Sequence, residues 1–580
     1  MKRRLIGIAL CLAMLCTAIM TASCGKEDDM SDVGEDKVAS AMTLTIWGIK
    51  EKGTTDEAIA EVEAAMSRIT EAQFNTAVKL MLFTESEYDK ALEKKMDEIQ
   101  ERLDAEAAEA EAKKAAEKEA RKNSGADTTT AEETSAEESS DTADETVLDE
   151  YGLPTTLYPE VEDNQLDIFL MTDYKMFQKY SEKGVLSGLD EQISSSSKLL
   201  KSYINPSLLA AGKVGKTTYA IVNNQMVGEY TFMILNKAMM DKYYYDPDDF
   251  SSLADAQEFL EVVGKNESVT PYAGIREPLN INYFTSDGSK SVVGYMAAPD
   301  AVGGANGAPA VLFSNRNWTT FIKLMKELES NSWLGTETPK ATDNFAVGIV
   351  KGEWADVADF EENYYVKVLM NPQGTTENMY NGMFAVSTYT KSVARSMEIL
   401  TYLNTRSDLR NLFGYGVEGV HYELDKDGVV KKLSNDYNMK LEYTGNTFIA
   451  YPPEGSSADI WEVAKLHNLD LVLSPWYGFS FDEAQIDPDV RKGVKSFSDS
   501  FYSELSSKSY DELEDWMTEM WDEADANESI KAFIATEVEA DETADDTKKD
   551  DTAADDEKVI EILPMGKIYA DWFSKAYPGG

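Results

Sequence analysis

The sequence Thr43-Leu44-Thr45-Ile46-Trp47 alternates polar and apolar residues, which is the pattern of a β-strand. A loop follows, and Thr54 and Glu57 have the spacing of a capping box that begins a helix. The apolar residues of that helix recur at helical intervals, at Ile59, Val62, Met66 and Ile69. The apolar run 78–83 then predicts a buried strand. A strand, a helix and a strand within about forty residues predict a parallel βαβ unit and an α/β fold.

A second helix is predicted from Thr84, with Glu87 as its capping partner. Its apolar stripe stops at Leu103, but charged helix-forming residues continue to Lys122. We therefore expect a charged helix and a disordered acidic insertion at about 104–150, where large apolar residues are scarce. A second acidic segment of the same composition, at 536–558, is also expected to be disordered.

The formal net charge is -50, and much of it lies in those two acidic segments. The rest of the chain is acidic as well. Nucleic acid and polyanionic ligands are therefore excluded, because each needs a positively charged surface. With 580 residues and 43% hydrophobic content, the chain can build two large lobes or three ordinary domains.

The N-terminal residues predict a bacterial lipoprotein signal. Lys2, Arg3 and Arg4 precede the apolar run 5–20, and small residues then lead to Cys24 in an arrangement that resembles a lipobox. The other two cysteines lie inside the apolar run, so a lipid on Cys24 accounts for a thiol that has no disulfide partner. We expect a signal peptide at 1–23 and a lipid anchor with a polar tether at 24–40. The alternative is an ordinary signal peptide with an incidental cysteine.

The chain passes abruptly from one strand to another in two places. Residues 218–222 and 230–235 are both strand-like, and only 223–229 separate them. A similar passage is predicted near Asn371-Pro372, before the strand-like residues 383–386. Such short links suit a chain that leaves one lobe and enters another.

Further along, residues 415–424 combine glycines with aromatic residues, and Gly445-Asn446-Thr447-Phe448 and Gly478-Phe479 follow. Together with 43–57 and 219–236, these segments resemble extracellular solute-binding proteins of ATP-driven importers. The resemblance is to the carbohydrate-type, lipid-anchored members of Gram-positive bacteria, and it extends from Thr43 to about Asp482. It implies a two-lobed α/β fold of the type II periplasmic-binding-protein class, in which the lobes close on a ligand around a multi-crossing hinge.

The resemblance and the strand-to-strand passages together predict how the chain is divided. An N-terminal lobe is expected from 41–225 and 373–435. A C-terminal lobe is expected from 226–372 and 436–535. Residues 559–580 are expected to form a separate C-terminal segment after the second acidic stretch.

Sugar recognition requires aromatic faces for the apolar sides of pyranose rings and polar groups for the hydroxyls, on loops at strand ends. The predicted stacking residues are Trp47, Tyr174, Tyr230, Tyr365 and Trp476, and the predicted polar contacts are Asp173, Asn223, Asn224 and Glu229. Any one of these aromatic residues is more often part of a core than a ligand contact. Glu418 and His421 are further candidates, but a structural role in a tight loop is favoured for both.

The favoured interpretation is a cell-surface, lipid-anchored substrate-binding protein of an ABC importer. We expect a monomer without catalytic activity that takes a neutral oligosaccharide and delivers it to the permease subunits at the outer face of the membrane. No cofactor is expected, and His421 and His467 lack the spacing of metal ligands. A surface glycoside hydrolase is the alternative, because it needs only two positioned carboxylates. A peptide-binding protein or a sensor without a transporter is a third hypothesis. The identity, linkage and length of the sugar stay open.

Overall fold

The computed structural model describes residues 40–123, 158–279, 281–284, 290–296, 309–537 and 562–576. The predicted signal peptide, the anchor on Cys24, most of the acidic insertion and nearly all of the second acidic segment lie outside these ranges. Contacts join the described residues from Met42 onward into one compact unit. None of the described helices has the length and apolar content that a membrane crossing requires.

The strands are β1 (Met42–Ile49), β2 (Thr76–Phe83), β3 (Ile168–Met171), β4 (Lys213–Val214), β5 (Thr217–Thr218), β6 (Ala220–Val222), β7 (Tyr230–Asn236), β8 (Thr270–Gly274), β9 (Ile281–Tyr283), β10 (Val293–Met296), β11 (Ala310–Val311), β12 (Phe345–Gly352), β13 (Tyr364–Met370), β14 (Gln373–Gly374), β15 (Met383–Val386), β16 (Tyr422–Leu424), β17 (Val430–Lys432) and β18 (Val472–Leu473).

The α-helices are α1 (Asp56–Phe74), α2 (Glu85–Asn123), α3 (Tyr174–Glu182), α4 (Asp190–Ser194), α5 (Leu200–Tyr203), α6 (Pro206–Ala211), α7 (Lys237–Tyr243), α8 (Gln257–Asn266), α9 (Arg316–Ser330), α10 (Trp354–Val357), α11 (Thr376–Met379), α12 (Val393–Thr405), α13 (Ser407–Tyr415), α14 (Ile460–His467), α15 (Pro488–Ser507), α16 (Leu513–Ala526), α17 (Glu528–Ile534) and α18 (Met565–Ala576).

The N-terminal lobe is built on a five-stranded sheet with the order β2-β1-β3-β15-β6. β1 pairs in parallel with β2 and β3, so the predicted βαβ unit is confirmed. β15 arrives from much later in the chain and pairs antiparallel with β3 and β6. One detail of the prediction is wrong. Thr55, not Thr54, caps α1 by accepting from the Ala58 N–H, because the Thr54 hydroxyl is bonded to the backbone of Asn438 instead.

A buried carboxylate joins the strands of this sheet. Asp167, which precedes β3 and is fully buried, accepts hydrogen bonds from the Thr45 N–H at 2.8 Å and from its hydroxyl at 2.9 Å. The Gln165 amide, the Thr390 hydroxyl and the Lys391 N–H donate to the same carboxylate, at 2.7, 2.7 and 2.9 Å. Because each oxygen has donors, the carboxylate is tolerated in the interior and holds β1, β3 and the segment after β15 together.

The C-terminal lobe contains a four-stranded sheet with the order β13-β7-β12-β8. β7 is buried along its whole length, and its side chains alternate between two cores. Phe232 and Ile234 pack with Phe360 on one face, whereas Met233 and Leu235 pack against α8 and α9 on the other. The two lobes confirm the two-lobed α/β class that the sequence predicts.

A third core lies beside the C-terminal lobe and is joined to it through α9, whose Trp318 is buried there. It combines the small sheet β9–β11 with the helices α15–α18. Phe313 and Phe501 stack in it at 4.8 Å, and Tyr569 of α18 is also buried in it. The predicted C-terminal segment 559–580 therefore contributes to a core through its described part.

The N-terminal lobe also extends past residue 435, because Tyr443 packs in its core.

Three segments pass between these bodies. We name 223–229 the first crossing, 371–382 the second crossing and 468–478 the third crossing. The second and third pair in parallel through β14 and β18. Gly228 in the first crossing has φ +72°, and a Cβ there would lie 2.8 Å from the backbone N and O of Gln373, so the first crossing packs directly against the second.

Candidate functional site

A hollow of about 320 Å³ lies at the hinge. We name it the hinge cleft. It is lined by the end of the first crossing, by β7 and β12 of the C-terminal lobe, and by the second and third crossings. The lining residues are Gly228, Glu229, Thr231, Leu279, Ile281, Lys351, Met370, Asn371, Gln373, Thr375, Thr376, Glu377, Asn378, Ser474, Trp476 and Phe479.

A second hollow of about 480 Å³ adjoins the first. We name it the outer cleft. It lies between α3 of the N-terminal lobe and the third core, and it is lined by Asp173, Tyr174, Lys175, Tyr283, Phe284, Thr376, Glu377, Phe479, Ser480 and Phe481. Thr376, Glu377 and Phe479 line both hollows. The two hollows therefore form one groove that runs from the hinge along the N-terminal lobe.

The short helix α11 stands where the two hollows meet. Thr375 caps it by accepting from the Asn378 N–H at 3.3 Å, and the Asn378 side chain accepts from the Thr375 N–H at 2.7 Å. The Thr376 hydroxyl accepts from the Gly478 N–H at 2.9 Å, which ties α11 to the third crossing. This bracing uses Thr375, Thr376 and Asn378 and leaves the Glu377 side chain exposed in the groove.

Trp476 is the main aromatic residue of the hinge cleft. It is 7% exposed and meets the ring of Tyr295 edge-on, with the ring centroids 5.5 Å apart. Its Nε1 is buried and has no hydrogen-bond partner among the described residues. An unpaired indole N–H in an apolar site is costly, and an acceptor on a bound molecule would satisfy it.

The outer cleft has an aromatic wall supplied by two bodies. Tyr174 begins α3 and lies 4.6 Å from Tyr380 between ring centroids, and Tyr380 stacks on Tyr477 of the third crossing at 5.8 Å. Phe479 meets Phe284 edge-on at 5.9 Å. Burial raises the pKa of Tyr477 to about 12, so its hydroxyl stays neutral at physiological pH.

The charged groups of the groove are exposed. Glu229, Glu377 and Lys351 line the hinge cleft, and Lys175 lies in the outer cleft. Within the described ranges, no group of three or more His, Cys, Asp and Glu side chains is arranged to hold a metal ion. The groove thus offers aromatic faces, hydroxyls, amides and carboxylates. These groups suit the binding of a polar, ring-containing molecule.

Four of the residues predicted to bind the ligand lie in this groove. Glu229 and Trp476 line the hinge cleft, and Asp173 and Tyr174 line the outer cleft. One oxygen of Asp173 is already engaged, because Oδ1 accepts from the Met176 N–H at 2.8 Å and caps α3.

The structure places two predicted stacking residues elsewhere. Trp47 is packed in the core of the N-terminal lobe, where it stacks on Phe83 at 5.1 Å. Its position near the end of β1 agrees with the prediction, but the β2 neighbour covers its face. Tyr365 of β13 is partly buried against the core of the C-terminal lobe, with the Lys237 ammonium 5.5 Å from its ring centroid.

Three further predicted contacts, Asn223, Asn224 and Tyr230, are buried and bonded to other parts of the protein. Asn223 Nδ2 donates to the Glu442 carbonyl at 2.8 Å, and Asn224 Nδ2 donates to the Tyr203 carbonyl at 2.8 Å. The Tyr230 hydroxyl donates to Asp470 Oδ2 at 2.7 Å. These residues secure the first crossing and do not line the groove.

His421 is likewise buried, and its Nδ1 accepts from the Val417 N–H at 2.9 Å. Glu418, close to it in the sequence, is exposed.

Most of the groove around α11 is not predicted from the sequence, including Thr376, Glu377 and Phe479. α11 has only four residues, so it shows no helical periodicity. The sequence does contain one signal of this helix, because Thr375 and Asn378 have the spacing of a capping box. They come directly after the passage predicted near Asn371-Pro372.

Comparison with known proteins gives a sequence relative. No protein-family model matches the chain. A carbohydrate ABC transporter substrate-binding protein of Streptococcus pneumoniae is 31% identical over 112 residues, which are 18% of this chain and 23% of that protein. The match thus spans less than two thirds of the relative. Over this stretch it confirms the resemblance that the sequence suggested.

The matches found among solved structures cover more of the chain. The N-glycan transport solute-binding protein NgtS of Streptococcus pneumoniae has a TM-score of 0.45 and 16% identity, over 84% of this chain and 99% of that one. A family 1 extracellular solute-binding protein of Alicyclobacillus acidocaldarius has a TM-score of 0.39 and 12% identity, over 83% and 98% of the chains.

Proposed function

We propose that this chain is the substrate-binding protein of an ABC importer and that it captures a neutral oligosaccharide in the groove. The observation that supports this proposal best is the groove itself. It follows the hinge, has walls from both lobes and from the third core, and combines aromatic rings with free polar side chains. A molecule that contacts both sides of such a groove draws the lobes together, and the closed form is what a permease would recognise.

The chemistry of the groove favours a sugar over other solutes. Trp476 and Tyr174 supply ring faces for the apolar sides of pyranoses, and Glu229 and Glu377 supply acceptors for hydroxyl groups. Two connected hollows, each of the size of a small-molecule pocket, suit a chain of several sugar units. Both carboxylates in the hinge cleft disfavour an acidic sugar at that end.

The experiment is a thermal unfolding screen of the chain without its signal peptide. The panel contains maltotetraose, mannotetraose and lacto-N-tetraose, together with sialyllactose and a tetrapeptide. We expect one neutral sugar to raise the melting temperature and to be recovered intact, because a ligand that binds only the folded state stabilises it. Release of shorter sugars would instead support a glycoside hydrolase, and stabilisation by the peptide alone would contradict a sugar ligand.

The same proposal includes attachment to the outer face of the membrane through a lipid on Cys24, with the protein acting as a monomer. It is supported by the N-terminal sequence, which lies outside the described residues. In the producing cells, Cys24→Ala should move the protein from the membrane fraction to the medium, whereas Cys16→Ala, inside the apolar run, should not. Membrane retention of Cys24→Ala would contradict the lipid anchor.

A further inference from the structure

The first and third crossings are held together by one pair of neighbouring residues, His467 and Asn468. Asn468 Oδ1 accepts from the Val227 N–H at 3.1 Å, and its Nδ2 donates to the Gln225 carbonyl at 2.6 Å. His467 ends α14 and is 3% exposed. Its Nε2 lies 3.0 Å from the carbonyl oxygen of the same Val227. Both polar groups of the Val227 backbone are thus bonded to this pair.

The other ring nitrogen of His467 reaches into the C-terminal lobe. Nδ1 lies 2.6 Å from Oε2 of Glu353, which precedes α10. A carbonyl oxygen and a carboxylate oxygen are both acceptors, so each ring nitrogen must carry a hydrogen to bond its partner. Neutral histidine has only one N–H. The geometry around His467 therefore requires the doubly protonated, positively charged ring.

The groups that face His467 favour that charge. Glu353 contacts it directly, Tyr230 of β7 meets its ring edge-on at 5.0 Å between centroids, and Asp470 of the third crossing bonds the Tyr230 hydroxyl. Burial alone lowers the pKa of His467, but the bonds to Glu353 and to the Val227 carbonyl outweigh it, so the pKa is raised. Burial and the bond to Asp470 raise the pKa of Tyr230 to about 12, so Tyr230 stays neutral.

The segment that His467 holds leads directly into the groove. Gly228 and Glu229 follow Val227 and line the hinge cleft. Gly228 also packs against Gln373, another residue of that cleft. A shift of Val227 would therefore be passed to both sides of the hinge cleft.

We propose that charged His467 is a positioning residue for ligand binding and that loss of its proton weakens binding. The charged ring fixes the first crossing and, with it, the Glu229 side of the hinge cleft. This inference rests on the proposed function. A neutral ring can keep only one of its two bonds, so either Val227 or Glu353 loses its partner. The loosened crossing must then be ordered when a sugar binds, and that ordering lowers the affinity.

The direction of the pH dependence follows from the raised pKa of His467. Its stabilising contribution is complete below the ordinary histidine pKa of about 6.5 and is lost as the pH rises through the raised value in the folded protein. His421, the other of the two histidines in the chain, is an internal control. Its Nδ1 accepts from the Val417 N–H, so its bonding does not need a second ring proton.

The first test needs no ligand. Hydrogen exchange is followed from pH 6 to pH 9 in peptides that cover 223–230. The exchange rates are corrected for the intrinsic pH dependence of amide exchange. In the wild type, protection of this segment should fall by about tenfold as the pH rises, the effect of losing one bond to a charged group. His467→Gln should have low protection at every pH, and His421→Gln should keep the wild-type profile. A flat wild-type profile, or an unchanged profile in His467→Gln, would overturn the proposal.

A second variant protects the test against misfolding of His467→Gln. Glu353→Gln removes the carboxylate and should move the midpoint of the same profile to lower pH, whereas a purely structural Glu353 would leave the midpoint unchanged. The affinity for whichever of the three neutral tetrasaccharides binds should fall by about threefold to tenfold from pH 6 to pH 9 in the wild type and in His421→Gln, whereas in His467→Gln it should not depend on pH. If none of the three binds, the proposed function fails, and the exchange profile still decides whether His467 holds the crossing.

Discussion

The hinge and the groove use similar side chains in opposite ways. In the first crossing, Asn223 and Asn224 are buried and donate to backbone carbonyls of distant segments. A few residues away, Glu229 is exposed in the hinge cleft, as Glu377 is on α11. Both kinds of residue lie in the short segments that link strands of the two lobes. What separates them is whether another part of the chain covers them.

This difference has an energetic consequence. A buried polar group must find a partner within the protein, and the loss of that partner leaves an unpaired group and lowers the free energy of unfolding. An exposed group is paired with water, so its loss affects only what binds there. Substitutions in the hinge should therefore reduce stability, and substitutions in the groove should reduce affinity.

The largest effect is expected for Asn468→Ala in the hinge. The substitution leaves the Val227 N–H and the Gln225 carbonyl buried without their partner, so the free energy of unfolding should fall by about 3 kcal/mol. Urea denaturation measures it. Asn331→Ala, at the exposed end of α9, is the matched control and should change stability by less than about 0.5 kcal/mol. Equal losses in both variants would break the distinction between hinge and surface.

Trp476→Phe tests the groove. It keeps an aromatic face and removes the unpaired N–H, so the sugar affinity should fall about tenfold, and the smaller ring should lower the free energy of unfolding by about 1–2 kcal/mol because Trp476 also belongs to the third core. Trp461→Phe is a close control, because the Trp461 Nε1 is also buried and has no partner among the described residues, but Trp461 packs against Phe448 outside the groove. Calorimetric titration should find its affinity unchanged. A loss of affinity in both variants would contradict the assignment of Trp476.

Tyr230→Phe should have a smaller effect on the hinge side. It removes the bond to Asp470, which is exposed and can return to water, so the free energy of unfolding should fall by only about 1 kcal/mol. Chemical denaturation measures this change. A direct sugar contact through the Tyr230 hydroxyl would instead appear as a large loss of affinity at unchanged stability.

The smallest effect is expected for Glu377→Gln. The amide keeps an acceptor for a sugar hydroxyl but loses the charge, so the affinity should fall about threefold and the melting temperature should not change. Glu362→Gln, exposed at the end of the short 3-10 helix before β13, is the control for a general change of surface charge. Stronger binding of sialyllactose by Glu377→Gln would sharpen the assignment of neutral ligands to this end of the groove.

The sequence predicts the local parts of this structure well. The β1-α1-β2 unit lies within about two residues of its expected position, and the passages at 223–229 and near Asn371 are real crossings. These features depend on residues close in sequence. The ligand residues depend on more distant ones. Asn223 looks like a strand-end ligand until Glu442, far along the chain, accepts its amide.

The third core could not be predicted for the same reason. Its members Phe284, Phe313, Trp476 and Tyr569 come from four separate segments. Each of those segments has an apolar pattern that any lobe could bury, so the pattern does not indicate which body receives it. The sequence therefore assigned 436–535 to the C-terminal lobe alone.

The attachment of α18 gives the groove a remote support. The Trp572 indole N–H donates to the Gly478 carbonyl at 3.0 Å, next to Phe479, which lines both hollows. This wall of the groove is thus braced by a helix near the C-terminus that belongs to neither lobe sheet. Natural variation or directed evolution confined to α15–α18 would have a route to new ligand preferences that leaves the hinge and the lobe sheets untouched.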